Sequence, residues 1–140
     1  MTKEEELSKY MAQIEHYKEQ MSSLETQSQY LQAAIADYHR AKITLEQLEK
    51  AENNSDILLP IGGSTYIDAK TKDTSKVLFD IGAGLVTEKK ADEAIKKIDK
   101  RIKDLEKNQE QMNSMMQQLQ NDATEVSVNA QKLYSELQQG

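Results

Sequence analysis

Two histidines are the side chains best suited to acid–base chemistry or metal binding near neutral pH. They are His16 and His39, and they lie too far apart along one predicted helix to share a ligand. The sequence has no cysteine, so it offers neither a thiol nucleophile nor a cysteine-based zinc site. No nucleophile, base and orienting residue can be assembled from the remaining side chains. We therefore expect no enzyme activity, no catalytic residue, no metal and no cofactor.

Glycine-rich turns at 62–63 and 82–84 are the next candidates, because glycine loops can cradle phosphate groups. They lack the G-x-x-x-x-G-K pattern followed by Ser or Thr, so we interpret them as turns. The lysine-rich segment 89–107 carries acidic residues four positions before several of its lysines, which is typical of ion pairs on a solvated helix face. Because the net charge is −6, a nucleic-acid partner is not expected.

The composition indicates a chain that is too polar for a compact globule. Of 140 residues, 37% are hydrophobic, 5% aromatic and 30% charged, and the mean hydropathy is −0.78. No apolar run approaches the roughly 18 residues of a membrane span, and the N-terminus has no apolar signal core. The lack of cysteine fits a reducing compartment. We expect a soluble, cytoplasmic protein without a membrane partner.

Residues 56–89 form the segment around which the chain is organised, because their pattern differs from the sequence on both sides. Short apolar runs are separated by glycine turns and a polar cluster, which is typical of strands. Two hairpins are predicted, with strands at 57–61, 65–70, 76–81 and 85–89. Pro60 cannot donate to a ladder, so the first strand should lie at an edge or a bulge.

These hairpins cannot bury their own apolar residues, since two-stranded ribbons are marginal in water and their edges invite pairing. No other segment offers strands, so similar segments of other subunits are expected to cover them in a shared sheet or barrel. The chain is therefore predicted to be an obligate oligomer. The candidate oligomerisation residues are Ile57, Leu59, Ile61, Ile67, Val77, Phe79, Ile81 and Leu85.

The N-terminal segment has an apolar repeat of 3.5 residues, which indicates a coiled-coil helix. A capping box at residues 2–5 predicts that the helix begins at about Lys3. Heptad positions a and d, counted from Leu7 and Tyr10, are apolar or aromatic except at Ser28 and Lys42. Residues 53–54 supply a plausible stop.

The C-terminal segment repeats the pattern, with d counted from Ala91 and a from Ile95, and only Gln109 is polar. Each helix would run about 48 residues, or roughly 70 Å. Equal lengths joined by a compact insert indicate that the helices fold back on one another. The expected fold is α+β, a long antiparallel two-helix coiled coil with two central β-hairpins that assemble into an intersubunit β-barrel. Its parts are an N-terminal helix (1–52), an oligomerisation segment (53–89) and a C-terminal helix (90–140).

Antiparallel packing predicts layers in which the two residue numbers sum to 140, such as Leu7 with Leu133 and Leu24 with Met116. This register places the polar exceptions Ser28 and Gln109 in neighbouring layers. Polar seam residues cost stability but can fix register, so the neighbouring layers are interpreted as either a tolerated defect or a soft point that sets the register.

The central segment resembles one known family. The residues that carry the resemblance are Leu59-Pro60-Ile61-Gly62, the link from Asp73 to Val77, and Ile81-Gly82-Ala83-Gly84, between two long helices. Together they resemble the α-class subunits of prefoldin, a cytosolic chaperone of archaea and eukaryotes, over the whole chain. Two hairpins favour the α class over the β class, and the compact length is more similar to archaeal members.

The resemblance implies a hexamer of two α and four β subunits, which captures non-native proteins without ATP and delivers them to a group II chaperonin. Clients would bind at the coil tips, where both chain ends lie. Apart from the chaperone, a structural coiled-coil spacer and a nucleic-acid-binding helical arm remain alternatives. The residues expected to bind clients are Leu7, Tyr10, Met11, Ile14, Val126, Val128, Leu133, Tyr134 and Leu137.

Overall fold

The computed structural model describes residues 1–140. Its elements, in chain order, are α1 (Lys3–Lys50), β1 (Asp56–Gly62), β2 (Thr65–Lys70), β3 (Lys76–Gly82), β4 (Leu85–Lys90) and α2 (Ala91–Gln139). The strands pair as β1 with β2 and as β3 with β4, both antiparallel. The expected architecture of two long helices around two hairpins is confirmed, and the strand ends agree with the prediction to within one residue. Neither helix is apolar enough over a sufficient length to cross a membrane.

The residues cluster into two compact units. The terminal unit comprises residues 1–34 and 105–140, and the hairpin unit comprises residues 35–104. The division into 1–52, 53–89 and 90–140 follows the type of element and stays a prediction.

Helix α1 begins where the capping pattern predicts. The Thr2 hydroxyl accepts a hydrogen bond from the Glu5 backbone N–H at 3.1 Å, which satisfies one of the orphan donors of the first turn. Three acidic residues in that turn complement the helix dipole. The helix ends at Lys50, and Asn54 follows with a positive φ of 62°, a conformation that asparagine tolerates better than most residues.

The apolar seams of both helices are buried as the 3.5-residue repeat predicts. Every predicted a and d position is buried or half-buried, whereas most other helical positions are exposed. In the terminal unit Lys3 forms an ion pair with Glu136 at 3.5 Å. In the hairpin unit Lys42 forms one with Asp99 at 2.7 Å. Within each unit these contacts join the helices in the antiparallel sense.

Two polar seam residues, Ser28 and Gln109, contact each other in the terminal unit. Gln109 Nε2 donates to Ser28 Oγ at 2.8 Å and to Asn113 Oδ1 at 3.0 Å, and Ser28 is the buried polar residue of the chain. The other end of the Gln109 amide, Oε1, is buried without a hydrogen-bond partner. This layer combines a specific interhelical hydrogen bond with an unsatisfied acceptor.

The two hairpins have the same construction. Each ladder contains a bulge just before its turn, between Pro60 and Gly62 in the first and between Asp80 and Gly82 in the second. The expected irregularity at Pro60 is thus confirmed. All three turn residues of each hairpin have positive φ, including the non-glycine residues Ser64 and Ala83, so each turn holds one side chain in a region that L-residues seldom adopt.

The hairpin unit has its own apolar core. Phe79 of β3 packs with Ala94, Ile98 and Ile102 of α2, and Tyr38, Leu45 and Val77 complete the cluster. The Arg101 guanidinium lies 4.7 Å from the centre of the Phe79 ring and 5.8 Å from that of Tyr38, within cation–π range of both. The second hairpin is therefore fixed to the helices of its own chain.

Candidate interaction surfaces

A groove runs between α1 and α2 in the terminal unit. Its volume is about 650 Å³, and apolar side chains of both helices form most of its wall. The residues that line it are Leu7, Met11, Ile14, Ser127, Ala130, Gln131, Tyr134 and Ser135. The polar residues of the lining, two serines and a glutamine, supply hydroxyl and amide groups but no charge.

Met11 and Tyr134 are the most exposed apolar residues of this groove, at 58% and 53%. Both lie beside the buried seam, so the pairing of the helices does not require them. A neighbouring groove, lined by Ile14, Met21, Ala123 and Val128 among others, shares Ile14, Ser127 and Gln131 with the first. The second groove is of mixed polarity, since Lys18, Gln120 and Thr124 also line it. The first groove is the more apolar of the two and presents a flexible thioether and an aromatic ring.

The remaining residues expected to bind clients do not line either groove. Tyr10, Val126 and Leu137 are half-buried seam residues, and Leu133 is buried. The sequence analysis missed Ser127, Ala130, Gln131 and Ser135. Ala130 and Gln131 precede Tyr134 by four and three residues, and Ser127 and Ser135 lie four residues before and after Gln131. This spacing places them on one helix face and could have identified them.

The hairpins form a second apolar surface. Of the candidate oligomerisation residues, Leu59, Ile61, Ile67, Ile81 and Leu85 are exposed, whereas Ile57 and Val77 are half-buried. Phe79 is buried against the helices of its own chain. The exposed residues give the hairpins an apolar area larger than scattered surface residues would provide.

Four more exposed apolar side chains of the hairpins were missed by the sequence analysis. They are Leu58, Tyr66, Leu78 and Val86. Strand alternation places Leu58 on the other face of its strand from Leu59. The ladders pair Pro60 with Tyr66 and Leu78 with Glu88. Counting apolar residues on both faces, instead of on one, would have found them. Both faces of the hairpins therefore carry apolar side chains.

Hydrogen bonds that involve polar side chains hold the segments that flank the hairpins. The Thr74 backbone N–H donates to Asn53 Oδ1 at 3.0 Å, and the Ser55 N–H donates to Thr71 Oγ1 at 2.9 Å. The Ser75 hydroxyl and N–H both donate to the Asp73 carboxylate, at 2.6 and 3.0 Å. These bonds lower the pKa of Asp73 below its ordinary value.

The ion pair of Lys42 with Asp99 is the closest contact between charged groups of the two helices in the hairpin unit. The hydrogen bond to Asp99 is the main cause that raises the pKa of Lys42. Burial opposes it, and the negative charges of Asp99 and Glu46 make smaller contributions that raise the pKa further. Lys42 occupies a seam position, so the ion pair explains how this polar exception is accommodated.

Comparisons with known proteins agree with this architecture. A family model described as "Prefoldin subunit" matches residues 17–136. Prefoldin subunit alpha of Archaeoglobus fulgidus is 32% identical over 126 residues, which are 90% of this chain and 92% of that protein. Prefoldin subunit alpha of Methanoculleus marisnigri is 33% identical over 130 residues, which are 91% and 80% of the two chains.

Solved structures show the same fold. A cryo-EM structure of filamentous PFD from Methanocaldococcus jannaschii has a TM-score of 0.61 at 23% identity and covers 89% of this chain and 97% of that chain. The crystal structure of the prefoldin beta subunit from Thermococcus strain KS-1 has a TM-score of 0.60 at 16% identity, with 90% of both chains covered.

Proposed function

The chain belongs to the prefoldin family, and from this premise we propose that it is an α-class chaperone subunit that captures non-native proteins on its terminal unit. The resemblance to α-class subunits expected from the central segment is confirmed. Capture requires no ATP in this proposal, takes place in the cytoplasm, and ends with delivery of the client to a group II chaperonin. The observation that carries the proposal is the groove around Met11 and Tyr134.

The groove suits a binding partner whose sequence varies. A partly folded protein gains roughly 25 cal/mol for each Å² of apolar surface that is covered. Methionine can adapt its shape to different apolar groups, and the uncharged lining of the groove favours neither sign of charge. The groove of one subunit is expected to bind weakly. Grooves of several subunits in one assembly would together hold a client by multivalency.

The hairpin surface supports assembly with β subunits. Exposed Leu58, Ile61, Leu78 and Leu85 form an apolar area that is unfavourable in water and calls for partner strands or helices. In the proposed complex two copies of this chain and four β subunits form a hexamer, and their hairpins close into a shared barrel. Prefoldin is a non-catalytic chaperone family, and the proposal requires no catalytic residue.

Suppression of aggregation by the assembled complex tests the proposal. Complexes that contain the wild-type chain are expected to keep a denatured protein soluble without nucleotide. Met11→Ser with Tyr134→Ser should weaken this activity while helicity and complex mass stay unchanged. The loss should be partial, because β subunits would contribute their own ends.

The matched control replaces the same residue types elsewhere in the terminal unit. Tyr30 and Met115 are also exposed but lie outside this groove, and Met115 lines a separate groove of about 420 Å³ with Leu24 and Leu119. Tyr30→Ser with Met115→Ser should leave the activity unchanged. Equal loss in both double variants would assign client binding to general surface hydrophobicity. A wild-type complex that suppresses no aggregation would favour a structural spacer.

A further inference from the structure

The net charge of the chain is concentrated in the terminal unit. Residues 1–34 and 105–140 contain 5 lysines and 11 acidic residues, whereas residues 35–104 contain 13 basic and 13 acidic residues. The whole net charge of −6 therefore belongs to the unit that contains the groove around Met11 and Tyr134. Net negative charge on a surface speeds the arrival of positively charged partners, and salt weakens this effect.

Acidic residues flank the groove, although its lining is uncharged. On α1, Glu4 lies one turn before Leu7, on the same helix face. Glu15 lies one turn after Met11, and both carboxylates are exposed. Lys18, further along α1, lines the neighbouring groove instead. The last turn of α2 contains no basic residue, so the partial negative charge of this helix end adds to that of the carboxylates.

The walls of the groove are helices, and this decides which form of client segment fits. The lining residues run from Leu7 to Ile14 on α1 and from Ser127 to Ser135 on α2, which is about two turns, or roughly 10–12 Å, on each wall. Their backbone N–H and C=O groups are bonded within the helices. The walls therefore offer no strand edge with which an extended segment could pair.

An extended segment would bury its own backbone N–H and C=O groups against these apolar walls without partners, which is costly. A helical segment has no such cost, because it satisfies its backbone internally and presents only side chains. Its residues at i, i+3, i+4 and i+7 cover two turns, the same length as the groove. The geometry therefore favours a helix over a strand.

A second copy of this chain fits the groove poorly. Its terminal unit has the same net negative charge, so two copies repel one another there. The heptad seams of that copy are already covered by the pairing of its own helices. The occupant should instead carry positive charge and an apolar helix face that is not yet paired.

We propose that the groove binds the apolar face of an amphipathic helix that carries lysine or arginine along its flanks, so that basic, helix-forming segments are the preferred clients of this chain. The proposal rests on the proposed function and adds to it the class of segment that is captured. Met11 adapts to the apolar side chains of the segment. The lysine or arginine stems lie beside the groove and extend their charges toward Glu4 and Glu15.

Peptide titration of the complex with β subunits tests this proposal. Three peptides of about 15 residues are compared: leucines and lysines in a helical pattern, the same residues rearranged so that leucines alternate, and the helical pattern with glutamate in place of lysine. With ¹³C-methyl methionine in this chain alone, the Met11 resonance reports binding to this groove and not to β subunits. The first peptide should bind at least about tenfold more tightly than either of the others, and added salt should weaken its binding.

Charge variants locate the preference for basic segments. Glu4→Gln with Glu15→Gln should weaken binding of the helical lysine peptide about threefold. The matched control, Glu49→Gln with Glu52→Gln, removes the same charge from exposed positions of the hairpin unit and should leave binding unchanged. Circular dichroism should show equal helicity in both double variants. Equal weakening by the control would contradict the role of the flanking carboxylates.

Equal binding of the alternating peptide or of the glutamate peptide would overturn the proposal, as would a Met11 resonance that none of the peptides shifts. These outcomes are distinguishable from failure of the proposed function. A wild-type complex that suppresses no aggregation would refute the proposed function, and the proposal with it. A complex that suppresses aggregation through Met11 and Tyr134 but binds the alternating peptide as tightly as the helical one would refute the proposal alone.

Discussion

Replacing Gln109 with leucine is expected to stabilise the chain. The Gln109 amide gains a 2.8 Å hydrogen bond to Ser28 but leaves Oε1 buried without a partner. An unsatisfied buried acceptor costs about 1–3 kcal/mol, whereas a neutral hydrogen bond contributes about 1 kcal/mol. A leucine at this half-buried seam position would add about 1 kcal/mol of apolar burial. The second bond of the amide, to the exposed Asn113, contributes only about 0.2–0.5 kcal/mol. The variant should therefore be more stable by about 2 kcal/mol, because relief of the unsatisfied acceptor and new burial outweigh the two lost bonds.

Thermal unfolding followed by circular dichroism measures this change. For a chain of this size, about 2 kcal/mol corresponds to a rise in Tm of roughly 6 °C. Gln117→Leu is the matched control, since Gln117 makes the same kind of bond to Asn121 as Gln109 makes to Asn113 but lies on the exposed surface. Its effect should stay within about 0.5 kcal/mol. A Tm of Gln109→Leu at or below that of Gln117→Leu would refute the reasoning.

Three further predictions follow from the same contacts. Leu7→Cys with Leu133→Cys should form a disulfide within one chain under mild oxidation, and exclusively intermolecular disulfides would contradict the antiparallel layers. If the Ser28–Gln109 bond fixes the register, Leu24→Cys with Met116→Cys should cross-link less completely in a chain that also carries Gln109→Leu than in a chain that keeps Gln109. Arg101→Met should lower the stability of the isolated chain by about 1 kcal/mol through loss of the cation–π contacts. The double variant Arg101→Met with Phe79→Leu should lose little stability beyond that lost by Phe79→Leu alone, and full additivity of the two losses would argue against those contacts. Hydrogen bonds from Ser75 lower the pKa of Asp73 in the folded chain. The Asp73 carboxylate therefore stabilises the fold at a pH above its ordinary pKa of 3.8, and this stabilisation is lost as the pH falls through the pKa of the folded chain. Asp73→Asn should be less stable than wild type at neutral pH and equally stable in strong acid, and a difference in stability that does not depend on pH would contradict this linkage.

Local periodicity explains why much of this fold could be predicted. A seam such as Leu7, Ile14 and Leu24 is defined by spacing along one helix, and the hairpins are marked by glycines at their turns. Alignment of the two seams placed Ser28 and Gln109 in neighbouring layers, whereas the hydrogen bond between them is seen only in the structure. These features depend on residues that are near in sequence or on one shared register.

Contacts between elements of different type could not be predicted in the same way. Alternation indicates that Phe79 lies on one face of its strand, but it does not indicate that Ile98 and Ala94 lie against that face.

Methionine methyl groups offer the most direct test of client capture by the terminal unit. In a complex labelled with ¹³C-methyl methionine on this chain alone, Met11 lies in the groove and Met115 is an exposed methionine outside it. On addition of a permanently unfolded protein without nucleotide, the Met11 resonance is predicted to shift or broaden while the Met115 resonance stays unchanged. An unchanged Met11 resonance in a complex that holds the unfolded protein would contradict capture in this groove.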